Sequence, residues 1–372
     1  MKIATFNVQN LFHRDKSLIE KPFSKNLSNW IKELDALMLQ PTKSLSQQDR
    51  IRELSFLIGF EKPSPRPYAI LRRKAGFLYM KGLSHSGENK AGEVTNWNGW
   101  IELQTLPIHP KSTDHKAQVI ANVNPDILLL QEIEDRASFE DFNQLILPKF
   151  DCKSFEHSFV IQGNEMKGLE MGIALRKGYK LETVRTHNID EAINNDGKNL
   201  IEYEISTPSN DTIWLLNAYL QKPTSDKKQS DKIRKKQISK IAEVYNKLIV
   251  DGKTNVIIAG TFNAPSYCDS LSPLIQNTDL KDITKHLSFE VDIDKGNDST
   301  YFRLGAYRMG VNIKQKDYIL FSPALFKKMK DSGLNRKAMW PEKRPQWSIY
   351  KSVSNKNMAA SEHPLVWGKL EI

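Results

Sequence analysis

The chain has 372 residues, 39% of them hydrophobic, with 54 Lys and Arg against 44 Asp and Glu for a formal net charge of +10. That length and apolar content can build a core that needs neither disulfides nor structural metals. No run approaches the roughly 18 apolar residues of a membrane-spanning helix. The two cysteines, Cys152 and Cys268, form neither a zinc motif nor a disulfide framework. This cysteine usage, and a start that reads directly as a strand with no leader pattern, lead us to expect a cytoplasmic protein. The positive charge favours polyanionic partners, with nucleic acid first among them, and the lack of a spanning run leads us to expect no membrane partner.

A strand with a polar end is expected over residues 1–12. Two helices should follow. Residues 27–39 carry Trp30, Ile31, Leu34 and Leu37 at helical spacing, and 46–58 carry Ile51, Leu54 and Leu57. Pro63, Pro65 and Pro67 break the chain. Segments 68–79 and 97–106 read as the strands of a hairpin around a Gly- and Ser-containing loop. Asp114 is expected to cap a helix over 115–122. Asn124-Pro125-Asp126 then turns the chain into a buried strand, Ile127-Leu128-Leu129-Leu130, ending at Gln131-Glu132. Further strands are expected at 170–175, 201–206, 212–219, 255–260, 317–321 and 364–371, with a helix at 231–249. Strands with helices between them predict layers of sheet covered by helices.

Five strand ends carry polar residues where a simple core strand would pass into a turn: Asn7, Glu132, Asn263, Asp317 and the pair Glu362-His363. Each alone has an ordinary explanation, as a strand terminator, an edge residue or a turn cap. The set in this order is more specific. Thr5-Phe6-Asn7-Val8-Gln9-Asn10-Leu11 resembles the opening motif of the endonuclease/exonuclease/phosphatase family. Leu130-Gln131-Glu132 is similar to the metal-binding glutamate motif of that family. Ile257-Ile258-Ala259-Gly260-Thr261-Phe262-Asn263 resembles its glycine-aspartate-phenylalanine-asparagine motif. Lys316-Asp317-Tyr318-Ile319-Leu320 is similar to its aspartate-tyrosine-isoleucine strand, and Ala360-Ser361-Glu362-His363-Pro364 to its terminal serine-aspartate-histidine motif.

The resemblance implies one domain over 1–372, a four-layered α/β sandwich of two mainly antiparallel sheets flanked by helices, with an atypical insertion at about 14–113. It implies a metal-dependent phosphodiester hydrolase, most simply a nuclease, using Mg²⁺ or Mn²⁺. Hard cations of this kind take oxygen ligands, and Asn7, Glu132 and Glu362 are the ligands implied. His363 would contact the phosphate, with Asp317 orienting its ring; Asn263 would position the nucleophile or a phosphate oxygen. Glu170 aligns with a carboxylate opposite that dyad, and Tyr219 falls where many relatives have histidine. Arg234, followed by Gln237, is assigned a structural salt bridge on the helix after that strand.

Three departures stand out. Thr261 takes the place of the aspartate assigned to activating water, and a hydroxyl does not ionise near neutral pH. Glu362 replaces an aspartate, and Tyr219 a histidine. These changes sustain a second reading, a catalytically degenerate member that binds nucleic acid or a protein partner. A third is a phosphatase of small phosphoesters. Trp340, Trp347 and Tyr350, set among basic residues, read as a loop packed on the sandwich before they read as a base-stacking surface.

Overall fold

The computed structural model describes residues 1–15, 25–58, 69–73, 78–80, 99–161, 169–189, 199–290, 315–341 and 347–372. A seven-stranded sheet runs in the order β14 (Phe289–Glu290), β16 (Met329–Asn335), β17 (Leu365–Leu370), β1 (Lys2–Asn7), β6 (Ile127–Ile133), β8 (Glu170–Leu175), β7 (His157–Ile161). A six-stranded sheet runs β13 (Lys281–Asp282), β15 (Asp317–Phe321), β12 (Val256–Thr261), β11 (Thr212–Tyr219), β10 (Asn199–Ser206), β9 (Lys180–Asn188). Both are mainly antiparallel, with parallel pairs at β1–β6, β11–β12 and β14–β16.

Three apolar cores separate four layers. Ile3, Ile127, Leu129, Ile201, Leu215, Ile257 and Ile319 meet between the two sheets. Their strand neighbours Ala4, Leu128 and Leu130 point the other way, onto Val119, Ile120 and Val123 of helix α3 (Pro110–Val123). On the far side, Leu216, Val256 and Ile258 pack on a long helix over Lys227–Val250, through Ile238, Ile241, Ala242, Tyr245 and Leu248. Strands covered on both faces must be apolar on both, which is why β6 and β12 read as unbroken hydrophobic runs. Each fully buried Ile or Leu contributes about 1.5–3 kcal/mol.

The expected 14–113 segment contributes helices α1 (Lys25–Met38) and α2 (Leu45–Ile58) and most of a third sheet. That sheet has the order β2 (His13–Asp15), β5 (Gly99–Pro107), β3 (Ala69–Arg73), β4 (Leu78–Met80). The expected strand at 68–79 is therefore two strands, β3 folding back on β4 while pairing with β5. The first strand stops at Asn7, not residue 12, because Gln9 and Asn10 take left-handed φ of 50° and 66°. Helix α3 starts one turn before the expected cap Asp114. His109 accepts from the Lys111 N–H, and Pro110 supplies a φ already suited to a first helical turn. With α4 at Arg136–Asp141, the long helix is α5, capped by Asp226 ahead of the expected start. Strands β7, β9 and β16 had no legible pattern; β9 is largely exposed, so it shows no alternation. No helix among the described residues is long and apolar enough to cross a membrane.

The late aromatic loop packs on the sandwich. Arg336 lies 4.6 Å over the buried Trp347 ring, and Tyr350 stacks on His115 while its hydroxyl donates to Asn122. His115 also lies 2.6 Å from the Met358 carbonyl through Nδ1 and 2.7 Å from Ser352 Oγ through Nε2. Burial lowers the His115 pKa below its ordinary 6.5, outweighing the Met358 bond. Below pH 6.5 the unfolded chain therefore takes up a proton that the folded chain refuses, so this residue costs stability as pH falls. Urea unfolding between pH 7.5 and 5.5 should show wild type losing more stability than His115→Gln; equal losses would remove His115 as the cause.

Candidate active site

The ends of four central strands and one loop converge where the two sheets meet. Strands β1 and β6 run parallel, with Asn7 opposite Gln131, and on the other side of β6 its register with β8 slips between Gln131 and Ile133. Glu132 occupies that bulge with φ of 59°, which brings its carboxylate to the side chain of Asn7. In the other sheet, β12 ends and β15 begins at the same level, pairing Thr261 with Asp317. His363 sits just before β17.

These side chains form one continuous chain of bonds. Asn7 Nδ2 donates to Glu132 Oε1 at 2.8 Å and to Thr261 Oγ1 at 3.3 Å. The Thr261 hydroxyl donates to Asp317 Oδ1 at 2.7 Å. His363 Nδ1 lies 2.9 and 2.8 Å from the two Asp317 oxygens. A carboxylate can only accept, so the ring proton sits on Nδ1 and the ring is oriented by Asp317. Beneath this chain Asn217 of β11 ties the sheets together: its Oδ1 accepts from Gln131 Nε2 at 2.8 Å, and its Nδ2 donates to the Leu130 and Gly172 carbonyls.

The remaining expected residues surround this line. Asn263, with φ of 56°, donates through Nδ2 to the Leu220 carbonyl at 2.8 Å. Tyr219 ends β11 opposite Thr261 and is buried in the inter-sheet core. Glu170 begins β8, one strand beyond Glu132, and is buried. Glu362 departs from expectation. Its carboxylate turns to Lys356 at 2.8 Å on an exposed rim, and that bond holds it below the ordinary glutamate pKa. Arg234 is structural: it pairs with Asp231, and its Nε and Nη2 donate to the Gln221 carbonyl at 3.2 and 3.1 Å.

Three residues were not legible beforehand. Gln9 Oε1 accepts from Ser361 Oγ and from the Glu362 N–H, and Ser361 Oγ also donates to the Asn7 carbonyl, so the last loop is sewn to the first strand. The third is Lys222, whose Nζ lies 2.8 Å from Glu132 Oε1. Its only sequence signal is a lysine shortly after Tyr219. Burial alone would raise the Glu132 pKa. The charges of Lys222 and His363 and the bonds from Lys222 and Asn7 outweigh that and hold the carboxyl below its ordinary value.

An ionised, buried carboxylate beside an amide suits a hard divalent cation. Among the described residues, no three His, Cys, Asp or Glu side chains form a metal cage. The fit is thus to one carboxylate with Asn7 and water. It also requires Asn7 to turn its amide, since Nδ2 and not Oδ1 now faces Glu132 Oε1, at 2.8 Å.

The four layers form an α/β sandwich, with the polar strand ends gathered where its two sheets meet. Among solved structures, a truncated TDP2 from Caenorhabditis elegans is similar at 18% identity and TM-score 0.46, over 69% of this chain and 89% of its own. A mannosyl-6-phosphatase from Bacteroides thetaiotaomicron is similar at 15% identity and TM-score 0.47, over 70% and 92%. A D. rerio TDP2 solved with a single strand DNA product is similar at 15% identity and TM-score 0.44, over 69% and 92%. No family model matches the sequence, and no curated protein matches it.

Proposed function

We propose that this protein hydrolyses phosphodiester bonds, with nucleic acid as substrate and Mg²⁺ or Mn²⁺ as cofactor. The observation that carries this reading is the unbroken bond chain from Glu132 through Asn7, Thr261 and Asp317 to His363. It puts an ionised carboxylate and an oriented imidazole at one strand-end site, and the net charge of +10 suits a polyanion. Glu132 and Asn7 would hold the cation, which supplies charge neutralisation at the phosphate. His363 would bind a phosphate oxygen through Nε2, because Nδ1 is committed to Asp317. Asn263, fixed by the Leu220 carbonyl, would position the attacking water or a phosphate oxygen. Glu170 and Tyr219 would shape the site from the adjoining strands.

One observation favours a binding protein instead. Thr261 stands where a proton acceptor for water would serve, and its hydroxyl proton is already given to Asp317. General-base help is worth roughly 10²–10⁴-fold, so its loss is a large handicap. Labelled single- and double-stranded DNA and RNA should be incubated with Mg²⁺, Mn²⁺ or EDTA, using wild type and Glu132→Ala. Cleavage that needs the metal and falls at least about 100-fold in Glu132→Ala is the expected result. Salt-sensitive binding with no cleavage would instead establish the binding reading. Neither cleavage nor binding would sink both nucleic-acid readings and leave a protein partner or a small phosphoester.

A further inference from the structure

We propose that Lys222 is a tethered counter-ion for Glu132, which it yields to a divalent ion, and that the released ammonium then binds the substrate phosphodiester. This deepens the proposed function and rests on its metal site at Glu132. Three observations carry it. First, the contact is at the point of competition. Nζ lies 2.8 Å from Glu132 Oε1, the oxygen that also accepts from Asn7. A cation bound to that oxygen and the ammonium cannot share the position, because like charges at contact distance repel.

Second, the backbone carrying Lys222 is held in place. The preceding residue, Gln221, donates its N–H to Gln237 Oε1 at 3.0 Å, and its carbonyl accepts two bonds from the buried Arg234. Helix α5 therefore grips the loop at Gln221 from both sides. Third, the side chain itself can leave. It is 39% exposed, against 2% for Glu132, and its ammonium lies 5.8 Å from the Tyr219 ring centroid. A lysine is a compact charge on a flexible stem, so rotation about the stem moves the charge without moving the loop.

The energetics set the direction. Glu132 is buried, and a buried carboxylate without a cation beside it is strongly disfavoured by the loss of its hydration. Lys222 supplies that cation when no metal is present. The same pairing must weaken metal binding, because an entering ion has to displace the ammonium before it gains the carboxylate. Once displaced, the ammonium lies on the exposed side of the site, where a phosphodiester can take it as a second cationic contact beside His363.

The test is Mn²⁺ affinity, read by the paramagnetic resonance signal of free Mn²⁺, for wild type, Lys222→Met, Lys222→Arg and a Lys227→Met control on the exposed first turn of α5. Lys222→Met should bind Mn²⁺ at least tenfold more tightly than wild type. Lys222→Arg and Lys227→Met should stay near the wild-type value. At saturating Mn²⁺, a slowly cleaved dinucleoside phosphorothioate should bind Lys222→Met several-fold more weakly than wild type. Circular dichroism melting confirms that each variant is folded, and Lys222→Arg provides the charge-retaining comparison if Lys222→Met is destabilised. Mn²⁺ affinity in Lys222→Met equal to or weaker than wild type overturns the proposal, as does the absence of Mn²⁺ binding in both. Cleavage by wild type together with unchanged Mn²⁺ affinity in Lys222→Met would discard the counter-ion and keep the hydrolase. Tightened Mn²⁺ binding with no cleavage by wild type would do the reverse.

Discussion

Gly260→Ala is expected to leave little folded protein. Gly260 adopts φ of 138°, a region that residues with a Cβ rarely enter. A Cβ built there would lie 1.9 Å from the Ala218 carbonyl oxygen and 2.9 Å from its carbon. Both atoms are main chain of the neighbouring strand, in register with Gly260 across the β11–β12 pair. Relief would require parting two central strands immediately before Thr261, where no flexible side chain can yield. Backbone strain of this kind costs about 1–3 kcal/mol and overpacking about as much again. A loss of about 4 kcal/mol or more is a large part of a typical net stability of about 5–15 kcal/mol. Gly252 provides the contrast. It also has positive φ, 78°, but a Cβ there meets nothing within 4 Å, so Gly252→Ala should cost only the backbone strain, about 1–2 kcal/mol. Urea unfolding of both variants measures the difference, and a Gly260→Ala protein within about 1 kcal/mol of wild type would refute the argument.

Asp317→Asn is expected to lower kcat by about 10²–10⁴-fold while leaving KM within a few-fold, given the proposed hydrolysis. Asp317 accepts every bond it makes here: one from Thr261 and two contacts from the His363 ring nitrogen. In asparagine one of those oxygens becomes an NH₂ group, which faces a donor and cannot bond to it. The imidazole then loses both its orientation and the negative charge that would stabilise it as a cation. Such support matters most as charge develops at the phosphate, so kcat should fall more than binding. Steady-state kinetics on a labelled oligonucleotide decide this. A raised KM with unchanged kcat would show that the dyad only binds. The same geometry qualifies any attempt to restore the missing base. Thr261→Asp would set a second carboxylate against Asp317, across what is now a 2.7 Å hydrogen bond. Two such neighbours do not both ionise readily, so the new group would act as a base only by turning away toward Asn7.

Much of the scaffold was legible because local pattern encodes burial. Unbroken apolar runs identify β6, β12 and β15, whose faces are both covered, and the helical spacing of Ile238, Ile241, Tyr245 and Leu248 identifies the buried face of α5. The order of polar strand ends, from Asn7 to His363, was equally visible. Edge strands were not. β9 is held by main-chain pairing to β10, and main-chain bonds leave no trace in side-chain type when the strand is exposed.

The site itself was decided in three dimensions. Asn7 and Thr261 are 254 positions apart, and their bond exists only because two separate sheets pack with their strand ends level. The direction of Glu132 comes from a bulge and a left-handed backbone, neither of which its motif encodes. Glu362 sits inside its motif yet turns to Lys356, because an exposed carboxylate takes the nearest cation. Lys222 belongs to no motif, and it reaches Glu132 because Arg234 and Gln237 hold the loop at that distance. Residue order determines which side chains stand at strand ends. Which of them touch depends on packing between segments distant in sequence, and that is a property of the assembled sheets alone.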